Sequence, residues 1–345
     1  MIGVFPGKFL PPHRGHITSI IKAACQVEKL YVVVSDSKKH TKYKCDINNL
    51  RPMPLKLRAK WLSIELQGME NVEVLLLDES DIPPFPHGWA EWAVLLQGLI
   101  PEFDVIFGGE ESYKKDHNLH FPNAQYWLID YSRSRFPISA TMIRSDPLKY
   151  WDYILGSARP HFCKRIMVTG TESCGKTTMV KALAKIFHTS WAEEGGRYYS
   201  ERYLGGNENV FTREDFINIA IQQRAIEDHA LKSANKIAFF DTDAVVTQYY
   251  LGMYLGIHSA LIDTLVDRTK YDAVIMLEPT VPWVADGLRW QSSQLTRIAN
   301  HQRLWAMYVA RSFNTAHEFY SITQDRYIDR LTAAIEIADS VLLGG

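Results

Sequence analysis

The sequence predicts an α/β protein built from two parallel-sheet domains, and three observations carry that prediction. Short β-branched runs alternate along the chain with segments of helical apolar spacing, the pattern of strand-helix-strand crossover units. Two glycine-rich loops, Gly7 to Gly15 and Gly170 to Gly175, each lie between such a run and a helix. At 345 residues the chain exceeds a typical single domain, and about 150 residues per domain gives two. The aromatic, turn-rich stretch Pro147 to Pro160 separates the two strand-loop-helix units, so the expected domains are 1–158 and 159–345.

Composition narrows the function classes. Lys plus Arg number 38 against 39 Asp plus Glu, a net charge of −1, so no global basic field points to nucleic acid or an anionic membrane. Anionic ligands must be held by local clusters. Cys25, Cys45, Cys163 and Cys174 show neither a CxxC pair nor regular spacing, which fits free thiols in a cytoplasmic protein rather than a disulfide framework or a zinc site. The N-terminus enters a strand without a leader-like charged and apolar region, and no apolar run nears the roughly 18 residues of a membrane span.

In the first domain, Met1 to Phe5 reads as a buried strand and Ile17 to Cys25 as a helix. The loop between them carries Lys8, His13, Arg14 and His16 at a helix N-terminus, where free N–H groups and the helix dipole attract anions. Gly7 and Gly15 let the backbone come close to a polyphosphate. Leu30 to Ser35 is a strand, Asp36 to Pro54 a long polar loop, Leu55 to Gln67 a helix and Val72 to Leu77 a strand. The loop's Lys38, Lys39, His40, Lys42, Lys44 and Arg51 suit a solvated basic loop or a flap over phosphates. Gly88 to Leu99 is a helix with Trp89 and Trp92, and a strand at Asp104 to Phe107 ends in the turn Gly108 to Tyr113 on the ligand rim of the sheet. Ser139 caps a further helix, placing Thr141 and Arg144 one turn apart so that hydroxyl and guanidinium face one phosphate together.

The second domain opens with a strand at Cys163 to Val168 and the loop Gly170-Thr171-Glu172-Ser173-Cys174-Gly175-Lys176-Thr177, followed by a helix to Phe187. This is GxxxxGK[ST] in its strand-loop-helix context: backbone amides for phosphates, Lys176 for β/γ charge, and Thr177 for Mg²⁺. Thr178 is the next residue, and Gly170, Ser173 and Gly175 belong to the cradle. Trp191 to Glu194 reads as a strand with Glu194 and Arg197 at its exit, and Ile237 to Phe240 as a strand ending in Asp241-Thr242-Asp243. A carboxylate is needed near Mg²⁺ and the accepting hydroxyl, and Glu194 and Asp241 both qualify. Ala273 to Leu277 is a strand leading to Arg289, Arg297 and Arg303, where a lid could bring guanidinium onto transferring phosphate. Asp325 to Leu343 is an amphipathic closing helix.

The run Gly7-x-Phe9-x-Pro11-x-His13-x-Gly15-His16 resembles the signature of the HxGH nucleotidyltransferase superfamily, and Ile138 to Arg144 resembles its ISxTxxR motif. With the P-loop behind them in this order, and the joining YWDYILGSARPHFCKRIMVTGTESCGKTT, FFDTDAVVT and PWVADGLR, nearly the whole chain resembles the NadR family. The runs Gly108 to Tyr113 and EEGGRYY depart from the family pattern. The resemblance implies a Rossmann-like nicotinamide mononucleotide (NMN) adenylyltransferase followed by a P-loop ribosylnicotinamide kinase, here without the helix-turn-helix that some members carry in front.

By that resemblance His13, His16, Lys8 and Arg144 act on the phosphates of ATP in the first site, with Gly7, Phe9, Gly15, Ser139 and Thr141 lining it. Trp89 or Trp92 would stack on the cationic nicotinamide ring, or serve the core. In the second site Lys176, Thr177, Asp241 and Glu194 carry the chemistry, Arg289 assists ATP, and Arg197 and Asp243 contact the riboside, with Mg²⁺ on Thr177 and Asp241. The expected partners are NMN, nicotinamide riboside, ATP and the product NAD, with no nucleic acid, no membrane, and self-association left open. Three rivals bear on this reading. A fused phosphopantetheine adenylyltransferase and dephospho-CoA kinase is opposed by His13, where that family usually has threonine. A class I aminoacyl-tRNA synthetase would need a KMSKS-like segment, which the sequence lacks, and a non-catalytic pyridine-nucleotide sensor would need lost catalytic groups or a DNA-binding segment.

Overall fold

A computed structural model of the chain describes residues 1–129, 135–267, 270–281, 293–313 and 318–344. It falls into two compact units, Met1–Phe162 and Cys163–Gly345. The short helix at Arg159–Phe162 therefore belongs to the first unit, four residues past the boundary read from the sequence.

In the first unit five parallel strands, β1 (Ile2–Gly7), β2 (Lys29–Asp36), β3 (Val72–Asp78), β4 (Val105–Gly108) and β5 (Gln125–Leu128), run in the order β3-β2-β1-β4-β5. Helices α1 (Arg14–Ala24), α2 (Lys38–Asp46), α3 (Leu55–Glu65), α4 (Trp89–Leu99), α5 (Lys114–His120), α6 (Ala140–Ser145) and α7 (Arg159–Phe162) connect or flank them. The central strands read as continuous apolar runs because both sheet faces are covered there: Phe5, Val32, Val34 and Phe107 pack on one side, Val4, Val33, Leu77 and Ile106 on the other. The order reverses between β1 and β4, and ligands of open parallel sheets bind beyond strand ends at such a point.

The stretch Asp36 to Pro54, expected as loop, contains α2. The only buried side chains of α2 are Thr41 and Cys45, four apart, too sparse an apolar stripe for periodicity to register. What fastens it is polar. Thr41 Oγ1 donates to Asp36 Oδ1 at 2.5 Å, and Lys42 pairs with Asp46 one turn on at 2.6 Å. Asp36 also meets Arg58 Nη2 at 2.5 Å, and both side chains are sealed from solvent. Arg58 donates in addition to the carbonyls of Met53 (2.9 Å), Ser35 (3.2 Å) and Lys8, so one guanidinium ties α3 to the exits of β1 and β2. Removing one member of such a pair strands the other charge, so Arg58→Met should cost the first unit about 3–5 kcal/mol. Faster hydrogen exchange of β1 and β2 amides, with β6 unaffected, is the expected readout.

The second unit repeats the architecture. Strands β6 (Lys164–Thr169), β7 (Trp191–Ala192), β8 (Ile237–Asp241), β9 (Ala273–Leu277) and β10 (Glu318–Ile322) form a parallel sheet ordered β10-β9-β6-β8-β7. The helices are α8 (Lys176–Ile186), α9 (Gly195–Tyr203), α10 (Arg213–Ser233), α11 (Ala244–Leu255), α12 (Ala260–Leu265), α13 (Gln294–Ala310) and α14 (Tyr327–Leu343). Val180 and Leu183 of α8 and Ala334 and Ala338 of α14 pack on the face made by Ile166, Phe239 and Ile275. The strand expected over Trp191 to Glu194 stops at Ala192, because Glu194 turns out of the sheet to start α9. No helix among the described residues is long and apolar enough to cross a membrane.

Candidate active sites

In the first unit β1 delivers the chain to the N-terminus of α1, and two histidines build the junction. His13 is the N-cap; its Nδ1 accepts the His16 backbone N–H at 3.4 Å, while His16 Nδ1 accepts the His13 N–H at 3.2 Å. The rings stack with centroids 3.6 Å apart. With both Nδ1 atoms accepting, each neutral imidazole carries its proton on Nε2. The pair thus caps the helix and arms two N–H donors at its positive end. A Cβ at Gly7 would stand 2.9 Å from the Phe9 ring, so any larger residue there would have to displace that ring. Phe9 itself is 3% exposed, packed on Phe5 and edge-on to His16 at 5.0 Å, so its ring is a wedge that sets the loop.

Arg144 reaches this loop from α6. Ser139 Oγ caps α6 by accepting the Met142 N–H at 3.2 Å, and Arg144 Nη1 donates to the Leu10 carbonyl at 2.5 Å while Nη2 meets Thr141 Oγ1 at 2.9 Å. The HxGH loop and the ISxTxxR helix, 134 positions apart at that bond, form one site. Burial lowers the Arg144 pKa from its ordinary value. Lys8 Nζ pairs with Glu79 at 2.9 Å, past the end of β3. On α2, Lys38 and Lys42 pair with Asp78 and Asp46 at the surface, the solvated role. His40 instead is held below its usual pKa by burial and by Lys8, Lys44 and Arg144, with Glu79 opposing. What α2 brings near Lys8 and Arg144 is therefore an imidazole biased toward its neutral form.

The two tryptophans meet edge-on, with ring centroids 5.5 Å apart. Trp92 packs edge-on against Phe121 and His117 in the core. Trp89 stands among Phe85, Tyr113 and His117, its Nε1 buried without a hydrogen-bond partner. His117, its pKa pressed to about 4 chiefly by burial, stacks on Tyr126 at 4.9 Å. Sequence reasoning missed this aromatic group because Tyr113, His117 and Tyr126 come from three elements without a shared motif.

In the second unit the P-loop joins β6 to α8. Gly170 has φ +147°, and a Cβ there would lie 2.7 Å from the Leu277 carbonyl, so only glycine fits. Gly175, at φ +84°, caps α8. Lys176 is 7% exposed, its Nζ donating to the Thr171 carbonyl at 3.1 Å. A cleft of about 1030 Å³, open mouth included, extends from Ser173 and Gly175 through Thr177 and Thr178 to Glu194 and Arg197, then to Phe211, Phe216, Tyr250 and Tyr254.

Thr177 Oγ1 donates to Asp241 Oδ2 at 2.5 Å, and the other carboxylate oxygen, Oδ1, is buried without a partner. Burial, then the nearby Glu194 charge, pushes the Asp241 pKa up to about 7 against the pull of Lys176, Thr177 and Arg197. An unspent carboxylate oxygen beside the P-loop threonine is a donor set that suits Mg²⁺. Among the described residues no cluster of three or more His, Cys, Asp or Glu offers a ready-made metal cage. Gln223 of α10, which the sequence did not flag, accepts the Gly195 N–H at 2.7 Å and donates to the Asp241 carbonyl at 3.3 Å, joining the starts of both carboxylate-bearing turns.

Asp243 requires a correction, because its carboxylate is not presented to a substrate. It caps α11 by accepting the Val245 and Val246 N–H groups at 3.0 and 3.3 Å, and Tyr308 Oη donates to it at 2.7 Å. Burial raises its pKa to about 6 from 3.8. The folded state then binds more protons than the unfolded chain between about pH 4 and 6, so this carboxylate removes stability as pH rises through that window. Asp243→Asn, which keeps the cap, should melt progressively higher relative to the parent between pH 4 and 7 in a thermal scan. Arg297 is likewise no lid residue: 2% exposed, it donates to the Val281 carbonyl at 2.8 Å. Arg289 lies outside the described residues.

Residues 4–146 match the Cytidylyltransferase-like family and residues 165–325 the AAA domain. The trifunctional NAD biosynthesis/regulator protein NadR of Escherichia coli (strain K12) is 33% identical over 99% of this chain and 83% of its own length. Two crystal structures, of NadR protein in complex with NR and of NadR protein in complex with NAD and AMP-PNP, superpose with TM-scores of 0.81 and 0.80. Each shares 26% identity and covers 100% of this chain and 96% of its own.

Proposed function

The chain belongs to the NadR family, and from that premise we propose a bifunctional NAD salvage enzyme, phosphorylating nicotinamide riboside in the second unit and adenylylating NMN in the first. The observation that carries this reading is the presence of two strand-loop-helix phosphate cradles in one chain, one armed by the His13–His16 pair and the other by Lys176, Thr177 and Asp241.

In the first site the NMN phosphate attacks the α-phosphorus of ATP and pyrophosphate leaves, giving NAD. The nucleophile is ionised near neutral pH, so the protein supplies position and charge rather than a base. The Nε2–H groups of His13 and His16 donate to the phosphates, Arg144 and Lys8 neutralise the leaving pyrophosphate, and Trp89 offers the nicotinamide an aromatic face. Lys8 then exchanges Glu79 for phosphate.

In the second site the 5′-hydroxyl of nicotinamide riboside attacks the γ-phosphorus of ATP and ADP leaves, giving NMN. Glu194 lines the cleft and takes the hydroxyl proton; Asp241, bonded to Thr177, belongs to the metal side. Thr177 and Asp241 would hold Mg²⁺, which would supply positive charge against the transferring phosphate. Phe211, Phe216, Tyr250 and Tyr254 give the pyridinium an aromatic enclosure with the Glu194 charge nearby. Cysteines outside any disulfide, two of them at 1% exposure or less in the second unit, suit the cytoplasm.

A chromatographic product assay tests the reading. Mg-ATP with nicotinamide riboside, and separately with NMN, should each yield NAD. NAD from NMN alone would remove the kinase assignment; NAD from neither would remove both, with phosphopantetheine the next substrate to try.

A further inference from the structure

We infer that two buried arginines, Arg330 of α14 and Arg297 of α13, are positioning residues for phosphoryl transfer: they hold the outer carbonyls of the P-loop and thereby aim its amide N–H groups at the nucleotide. This rests on the kinase reading of the second unit. Arg330 is 1% exposed, with Nη1 donating to the Cys174 carbonyl at 3.1 Å and Nη2 to the Glu278 carbonyl at 2.6 Å. Arg297 donates through Nη2 to the Ser173 carbonyl at 3.5 Å and through Nη1 to Val281 at 2.8 Å and Gln294 at 3.1 Å. Two consecutive loop carbonyls thus face cations on two different helices, Cys174 at full hydrogen-bond distance and Ser173 at the outer limit of one.

The geometry of the peptide unit turns this grip into a functional device. In a planar trans peptide the C=O and N–H point in opposite directions. A Cys174 carbonyl pulled outward turns the Gly175 N–H into the cradle, and the Ser173 carbonyl does the same for the Cys174 N–H. A charged donor on the carbonyl also polarises the amide, which strengthens its N–H toward an anion. Ser173 and Gly175 both sit at positive φ, +60° and +84°, a backbone that needs external ties to keep one orientation before phosphate arrives. The second hydrogen bond of each fork explains the choice of arginine. Arg330 spans from the P-loop to the exit of β9, and Arg297 from the P-loop to Val281, spans that a single ammonium does not bridge with planar geometry.

The test is steady-state ADP formation by the full chain with nicotinamide riboside and Mg-ATP, since adenylyl transfer releases pyrophosphate instead and does not enter the signal. Arg330→Gln should raise KM for ATP about tenfold or more, the scale of one lost charged hydrogen bond. KM for nicotinamide riboside and the rate of NAD formation from NMN should stay within about twofold, by the independence of distant sites. Arg330→Lys should recover part of the loss, and Arg297→Gln, which leaves Arg330 in place, should shift KM for ATP in the same direction. The inference is overturned if KM for ATP is unchanged in both glutamine variants, or if the KM values for both substrates rise together with a lowered melting temperature, the pattern of general damage. A parent chain that forms no ADP would overturn the kinase reading instead.

Discussion

Lys176→Ala is expected to lower kcat/KM for nicotinamide riboside phosphorylation by about 10²–10³-fold, the scale seen when one donor to a developing anion is removed. NAD formation from NMN should remain within about twofold, because the two cradles belong to separate compact units. The lysine emerges from the first turn of α8 beneath the loop, 7% exposed and held by the Thr171 carbonyl, so it is delivered in place rather than recruited. Its charge also opposes the raised pKa of Asp241, so removal should move that carboxylate further from ionisation. The kinase pH profile of any residual activity should therefore shift to higher pH. Parallel ADP and NAD assays on one preparation decide the matter: equal loss of both activities in a folded chain would contradict two independent sites.

The reciprocal substitution, His16→Ala, should lower NAD formation from NMN by about 10²–10³-fold and leave ADP formation from nicotinamide riboside intact. Three things go at once: an Nε2–H donor, the acceptor of the His13 N–H, and the partner in the ring stack. His16→Asn is the informative companion, since its short side chain can accept the His13 N–H but cannot extend a donor as far as an imidazole. Recovery of thermal stability without recovery of rate would assign the loss to the donor. Recovery of both would mean that the histidine acts mainly as a cap.

Much of this was legible because the phosphate loops combine local rules. Pattern placed β1, β2, β3, β6, β8 and β9 within a residue or two, since a central parallel strand is a short apolar run with nothing else to be. It failed where stability is not apolar. α2 is fixed by Asp36 and its hydrogen bonds, and β10 is a half-exposed edge strand at Glu318–Ile322 with no β-rich core pattern. The site residues split along the same line. His13, His16, Lys176 and Thr177 sit at fixed spacings on single loops. Gln223, Arg330 and the Tyr250–Tyr254 enclosure reach the second site from elements distant in sequence, and only the fold assembles them. Asp243 misled because an acidic residue after a strand serves an N-cap as readily as a substrate.

The central place of β1 has a consequence for how the chain is made. On one edge it is matched by residues 29–34, but on the other by Val105 and Ile106. As the ribosome extends the chain from Asp36 to Val105, 69 further residues, roughly 3–14 s pass at about 5–20 residues per second. For that interval the strand that bears the histidine loop has one raw backbone edge, available to any neighbouring nascent strand. Codon usage or chaperone contact over the segment between β2 and β4 should thus weigh more heavily on the yield of active adenylyltransferase than changes of equal size after residue 108.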